Sequence, residues 1–438
     1  MTPLALVALI FGSMLLLMAL RIPIAIAMFG AGSFGYVLQT GWSPLAHFLN
    51  NQVFARFASY DLSVIPLFLL MGHLAAQSGM SKALFALASG LLARFRGGLA
   101  MAAVLASAAF GSICGSSVAT AATITSVALP EMRRHGYSGI LATGTLAAGG
   151  TLGILIPPSV PLVIYALLAE QNIAKLFAAA VVPGIVAMLG YLAAITVFVR
   201  LYPQHAPTQG EPTHLRWREL RAVAPILGIF LLVFGGIYSG VFTPTEGAAV
   251  GVAGTLVVTL VRRTMNTKKL VQCFYATAQG SAMLFLIFLG ADLMNAALAL
   301  TQLPNQLAAV VLGWGFPAMG VVVCILLFYM VLGSVMDELS MLLLTIPIFM
   351  PIISGLELGM SAEHVAIWFG VMVLMTVGFG MLAPPVGLNV YVVNQMAKDV
   401  RLTDSYRGVL PFLITDAIRM ALLLMFPSLS LWLVGFVH

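Results

Sequence analysis

The sequence predicts an all-α polytopic membrane protein, built as an inverted-topology repeat with two re-entrant hairpins and two broken helices. Three observations carry that reading. Of 438 residues, 61% are hydrophobic and 8% are charged, against about a quarter charged in a soluble domain. No water-soluble surface can be built from such a chain. Two apolar stretches are interrupted at their centres by polar segments bearing glycine, and two proline pairs lie inside later apolar runs. The 42 glycines and 22 prolines also exclude a plain bundle of straight helices.

In chain order, apolar runs fall at 4–20, 24–38, 62–78, 99–130, 138–170, 175–200, 222–242, 246–262, 270–300, 318–352, 364–396 and 408–436. The N-terminus has no basic residue ahead of its first run, which argues against a cleaved signal peptide. Most runs suit one crossing of a hydrocarbon layer about 30 Å thick. Runs 99–130 and 318–352 do not. The first is interrupted by Gly111–Ser117 and the second by Gly333–Glu338, leaving arms of about 12–15 residues, too short to cross. Each reads as a re-entrant hairpin.

Charge sets the sides. Arg94, Arg96, Arg133 and Arg134 flank the first hairpin, which therefore opens to the cytoplasm. The second has no basic flank and is followed by Glu357 and Glu363, so it opens outward. The resulting ten crossings place 17 Lys and Arg inside and two, Arg56 and Lys175, outside, with Arg419 in the last span. Both termini are expected outside. The net charge of +6 is thereby explained without a nucleic-acid partner.

The halves match. Gly153–Pro158 (GILIPP) recurs as Gly380–Pro385 (GMLAPP) 227 residues later, and Gly111-Ser112 recurs as Gly333-Ser334 after 222. Residues 1–200 form the first repeat, 201–221 a cytoplasmic linker, and 222–438 the second repeat. The halves enter from opposite sides, as in many secondary transporters.

Proline inside a span removes a donor and clashes with the preceding turn, so each Pro-Pro pair should unwind its helix and free carbonyl oxygens. Such backbone survives at membrane depth only inside protein or beside a cavity. In the first tip, Ser112, Ser116, Ser117, Thr120 and Thr123 offer hydroxyls without charge. With carbonyls from Ala148–Gly153 they form a candidate Na⁺ region, while the helix starting near Ser116 turns backbone N–H groups toward an anionic substrate. The second tip adds Asp337 and Glu338. Asp337 is assigned to Na⁺ with carbonyls near Thr376, Gly378 and Gly380, and Glu338 to water. Asp292 within 270–300 either relays an ion or closes an internal hydrogen bond. Asp416 and Arg419, three apart on one helix, should pair. Thr243 or Thr245 should cap the helix that carries Glu246 in its first turn. Cys114, Cys273 and Cys324 have no metal-ligand spacing and read as small apolar fillers. No catalytic motif or nucleotide loop is present. The chain reads as a transporter with no cofactor, not an enzyme, and any pumping must draw on an ion gradient.

FGSICGSSVATAATI at 110–124, GTLGILIPPSVPLVIY at 150–165, GGIYSGVFTPTEGAAVG at 235–251 and GFGMLAPPVGLNVY at 378–391 together resemble the large membrane subunit of tripartite ATP-independent periplasmic (TRAP) transporters. The resemblance covers the chain in order. It implies an elevator-type fold of the ion-transporter superfamily and a sodium-coupled importer of organic acids in a bacterial inner membrane. The implied partners are a separate small four-helix membrane subunit and a periplasmic substrate-binding protein. Carried over, the first sodium region comprises Ser112, Ser116, Ser117, Thr120, Gly149, Thr151, Gly153 and Pro157. The second comprises Gly333, Ser334, Asp337, Thr376, Gly378, Gly380 and Pro384. The substrate falls to Ser116, Ser117, Pro158, Asp337 and Pro385. Thr376 stands where the family often has Asn. The alternative function is a stand-alone carboxylate carrier or sodium/proton exchanger with the same fold. The moving body is expected to contain the two hairpins and two broken spans, with every other span in the scaffold.

Overall fold

The computed structural model describes residues 3–206, 217–302 and 317–437, and the regular elements among them are helices. Seven are long and apolar enough to cross a membrane alone: Tyr60–Gln77, Ile173–Leu201, Leu220–Tyr238, Pro244–Val261, Thr267–Leu300, Ala362–Gly380 and Leu402–Met425. An eighth crossing is the pair Gly139–Leu155 and Val160–Leu168, bent by 42°. Helices Pro3–Ala19 and Ile24–Thr40, 17 residues each, occupy the first two predicted spans.

The two interrupted runs are pairs of short helices. Gly98–Cys114 turns at Gly115 into Ser117–Arg134, and Ala318–Gly333 turns into Glu338–Ser354. Their 16 to 18 residues are longer than the expected arms and close to the shortest length that crosses. Gly115 supplies the first turn with φ +64°, a left-handed conformation that suits glycine. The second broken helix is Ala362–Gly380 followed by Leu388–Met396. The peptide bonds Pro157–Pro158 and Pro384–Pro385 are both cis.

Two helices occupy segments expected to be loops. Trp42–Phe57 lies between the predicted runs 24–38 and 62–78, and Met80–Leu92 between 62–78 and 99–130. Both carry polar residues that interrupt an apolar run: His47, Asn50, Asn51, Gln52 and Arg56 in the first, Ser81 and Lys82 in the second. Their stability comes from contact with neighbours, which hydropathy along the chain does not register. The linker starts with the turn Pro203–His205; its residues 207–216 lie outside the described residues. Cys324 is exposed, unlike the buried Cys114 and Cys273, so it fills no core space.

Trp42–Phe57 is anchored by charge. Arg56 Nε donates to Asp292 Oδ2 at 2.7 Å, and its guanidinium carbon lies 5.8 Å from the Phe288 ring centroid. Asp292 therefore closes an internal ion pair, the second of its two expected roles. Removing one partner of a fully buried pair costs about 3–5 kcal/mol. The Arg56 side chain is 27% exposed and that of Asp292 7%, so Arg56→Ala should cost roughly 2–3 kcal/mol. Thermal unfolding in detergent tests this. Adding Asp292→Asn should recover most of the loss, because the stranded charge is then gone.

The helices pack into two groups. Ile24–Thr40 lies along Thr267–Leu300, which also contacts Val64–Gln77; that helix packs on Pro244–Val261, which pairs with Trp217–Tyr238. Small residues permit the closest of these approaches: a Cβ on Gly32 would sit 2.7 Å from Met294 N. The second group joins both hairpins and both broken helices with Ile173–Leu201 and Leu402–Met425. The sequence alone puts these last two helices in the scaffold. Buried polar contacts pack both against the broken helices: Trp368 Nε1 donates to Leu423 O at 3.1 Å, and Tyr191 Oη lies 2.9 Å from Thr151 Oγ1. The groups touch at Gly72, where a Cβ would lie 2.9 Å from Cys114 O in the first tip.

Polar contacts also gather at the two ends of Ile173–Leu201. At its start Lys175 Nζ reaches Glu363 Oε1 at 2.6 Å. Beyond its far end His205 Nδ1 lies 2.7 Å from Ser138 Oγ, and Arg96 Nη2 donates to Pro203 O at 3.2 Å. Thr243 and Glu246 form a reciprocal capping box at the start of Pro244–Val261.

Candidate cation and substrate site

Each hairpin crosses its broken helix at a pair of glycines, and the two pairs are repeat equivalents. In the first half, a Cβ on Gly111 would lie 2.5 Å from Gly153 Cα. In the second, a Cβ on Gly380 would lie 2.6 Å from the carbonyl carbon of Gly333 and 2.7 Å from its Cα. Backbone meets backbone at both points. This contact holds each tip against the break that follows it.

At the first tip, Gly115 O accepts from Val160 N at 3.3 Å, beyond the buried Pro157 and Pro158. Thr120 is fully buried with its hydroxyl beside the Cys114 thiol, and a Cβ on Gly153 would lie 2.6 Å from that oxygen and 2.9 Å from Ser116 O. Ser159, also fully buried, leaves its hydroxyl unpartnered at the restart of the helix. Ser116 is half-buried in extended backbone, and Ser117 opens the second arm. The Ser112 hydroxyl donates to Ala109 O at 2.9 Å, and the residue lines a small space with Met71, Pro158 and Phe230. Gly149 packs under Ser107, where a Cβ would lie 2.7 Å from the hydroxyl.

At the second tip, Ser334 O accepts from Gly387 N at 3.1 Å, while the Ser334 hydroxyl donates to Val331 O at 2.7 Å. Asp337 caps the second arm, its Oδ2 accepting from Ser340 N at 3.0 Å, and it stays half-buried. Glu338 is 5% exposed with Oε2 unpartnered, so it does not face water as expected. Its carboxylate lies beside the backbone N–H of Ser117, across from its own hairpin. The buried Thr376 donates to Met372 O at 2.8 Å, within its own helix. A Cβ on Gly378 would meet Thr151 at 3.5 Å, so the broken helices pass each other there. Pro384 and Pro385 are exposed, unlike Pro157 and Pro158. Tyr406 Oη donates toward Val386 O at 2.7 Å and Pro385 O at 3.1 Å.

Asn389 joins the halves. Its Nδ2 donates to Ser117 Oγ at 2.6 Å and Ala147 O at 3.3 Å, while Oδ1 is unpartnered. Sequence reasoning misses Asn389 because it compares repeats, and the position 227 residues earlier is Leu162. A carboxamide in the restart LNVYVV is the available signal. Among the described residues no three His, Cys, Asp or Glu side chains form a metal cluster. The oxygens near the tips are neutral groups and a carboxylate. Thr120 and Ser116 O meet Gly153 at the first break, Ser159 stands at the helix restart, and Asn389 and Glu338 each reach Ser117. This donor set suits a hard monovalent cation. The start of Ser117–Arg134 turns backbone N–H groups toward the tip, and the first of them, Ser117 N–H, already meets the Glu338 carboxylate.

Comparison with known proteins agrees with this architecture. Residues 11–429 match the family described as Tripartite ATP-independent periplasmic transporter, DctM component. The C4-dicarboxylate TRAP transporter large permease protein DctM of Pseudomonas aeruginosa is 32% identical over 87% of each chain. The sialic acid TRAP transporter large permease protein SiaM of Vibrio cholerae is 30% identical, covering 88% of this chain and 89% of that one. The isethionate TRAP transporter permease protein DctMQ of Oleidesulfovibrio alaskensis is 28% identical, covering 97% of this chain and 66% of its own. In structure, the Alcanivorax borkumensis YdaH transporter superposes with a TM-score of 0.60 at 17% identity, over 91% of this chain and 90% of that one; this likeness concerns fold alone. The chain is a multi-pass membrane transport subunit, and it belongs to the DctM component family of the tripartite ATP-independent periplasmic transporters.

Proposed function

We propose that this chain is the sodium-coupled permease of an organic-anion importer in a bacterial inner membrane. It works with a small membrane subunit and a periplasmic substrate-binding protein, and its substrate carries a carboxylate or sulfonate, as in its relatives. The supporting observation is that both broken helices and the second tip converge on the first hairpin. Gly153 lies against Thr120 and Ser116 O, Asn389 and Glu338 both reach Ser117, and buried oxygens of Ser159, Asn389 and Glu338 stay unpartnered. Buried polar groups are normally satisfied, and a small cation would satisfy several of these at once. The N–H groups that follow Ser117 in the first turn of Ser117–Arg134 and the Ser116 backbone supply the anion end.

The packing groups suggest how access alternates. The group holding the candidate site slides as one body against the group around Thr267–Leu300, with Gly72 and Cys114 at the sliding contact. In the orientation that fits the charge bias, the Ser138–His205 end is cytoplasmic, the Lys175–Glu363 end periplasmic, and both termini periplasmic.

Proteoliposomes holding this chain and the small subunit, supplied with the binding protein, test the reading. An inward Na⁺ gradient should drive uptake of a carboxylate or sulfonate anion, and an equal K⁺ gradient should not. Uptake of free anion by this chain alone would identify a stand-alone carrier instead. Equal uptake under both gradients would remove sodium coupling.

A further inference from the structure

A buried line of hydrogen bonds leaves the first break and ends on an ion pair that the proposed site does not use. Thr151 Oγ1 lies 2.7 Å from Ala148 O and 2.9 Å from Tyr191 Oη. Tyr191 Oη lies 2.8 Å from Asp416 Oδ2, and Asp416 Oδ1 lies 2.9 Å from Arg419 Nη2. Thr151, Tyr191 and Asp416 are at most 1% exposed, and Arg419 is 4% exposed. Arg419 is the charged neighbour of Asp416, which pairs with it as a carboxylate; helix Gly139–Leu155, packed against this stretch, carries no ionisable side chain.

Counting hydrogens shows that this line cannot be satisfied throughout. Three contacts join Ala148 O, Thr151, Tyr191 and Asp416, but only two hydroxyl hydrogens are available. The carbonyl and the carboxylate can only accept. A hydrogen bond to a charged acceptor is the stronger kind, so Tyr191 directs its hydrogen at Asp416. The Thr151 hydrogen must then choose between Ala148 O and Tyr191 Oη. When it turns to Tyr191, a lone pair of the Ala148 carbonyl is released.

We infer that Tyr191 and Asp416 are positioning residues for the first cation region: by accepting the Thr151 hydrogen, the relay frees the Ala148 carbonyl for the cation. This rests on the sodium reading above. Ala148 opens the stretch Ala148–Gly153 that leads into the break, and Thr151 sits where the two broken helices pass. The Asp416–Arg419 pair, buried at a cost in desolvation, fixes the direction of the relay from outside the site. Thr151 accordingly serves the cation as the group that releases a carbonyl.

Tyr191→Phe separates this role from packing. It keeps the ring, edge-on to Phe412 at 5.3 Å between centroids, and leaves the ion pair intact. The Thr151 hydrogen then has only Ala148 O to bond, and a cation must displace it. One hydrogen bond is worth about 0.5–1.5 kcal/mol, so the sodium concentration for half-maximal uptake should rise roughly three- to tenfold. Adding Thr151→Val removes the competing hydroxyl and should bring that concentration back to within about twofold of the wild-type value. An unchanged sodium requirement in Tyr191→Phe, or a double variant as weak as or weaker than Tyr191→Phe, would overturn the relay. Wild-type uptake without sodium dependence would overturn the sodium reading itself, and the relay with it.

Discussion

Replacing Glu338 with glutamine is expected to reduce sodium-driven uptake by roughly 10- to 100-fold, the loss that accompanies about 1.5–3 kcal/mol for a hydrogen bond to a charged group. Glu338 is 5% exposed, projects from the second tip, and lies beside the Ser117 N–H at the first. Its unpartnered Oε2 is where a cation would gain a full charge. A carboxylate at this depth needs such a partner. Glutamine keeps the shape and one oxygen but loses the charge, so the deficit should be relieved in part by raising sodium. Asp337→Asn provides the contrast. Asp337 commits Oδ2 to the helix cap, and asparagine caps as well as aspartate, so its uptake should fall by no more than about twofold. Sodium titrations of both variants decide the matter. Equal losses would return the two carboxylates to equivalent roles.

The second large effect is expected at Gly380. Its new Cβ in Gly380→Ala would lie 2.6 and 2.7 Å from Gly333 backbone carbons and 2.9 Å from Met330 O. No side chain is available to rotate away, so the hairpin and the broken helix must separate. Overpacking of this kind costs about 1–3 kcal/mol, and the upper end applies where backbone meets backbone. Gly378→Ala is the internal control, because two residues away in the same helix a Cβ meets only Thr151 and Ile154, at 3.5 Å or more. The thermal midpoint of the purified protein should drop sharply for Gly380→Ala and little for Gly378→Ala. Equal midpoints would mean that the crossing can open without cost.

Gly333 and Gly380 are legible in the sequence because the two halves repeat Gly-Ser and Pro-Pro at nearly constant separation. The tips and breaks are legible for the same reason, since glycine and proline act on the local backbone. The helices Trp42–Phe57 and Met80–Leu92 are not. A helix rich in Asn, Gln and Arg declares itself only through its partners, and Arg56 meets Asp292 across 236 residues. The choice between Asp337 and Glu338 is also beyond local reading. Adjacent residues at a helix start point in different directions, and the direction taken depends on the neighbouring hairpin. Ile173–Leu201 and Leu402–Met425 look like ordinary apolar spans, and Tyr191 meets Asp416 across 225 residues. Only the folded chain shows that they pack with the site.

If the two tips and two breaks form one site, a sodium ion and an organic anion assist each other's binding there. Thermal unfolding of the purified chain tests it most directly, comparing NaCl with KCl at equal ionic strength, with and without the transported anion. A ligand that binds only the folded state raises the midpoint. Sodium should raise it where potassium does not, the anion should raise it further only in sodium, and Glu338→Gln should weaken both shifts. Equal midpoints in the two salts, or an anion shift of the same size in potassium, would contradict the account.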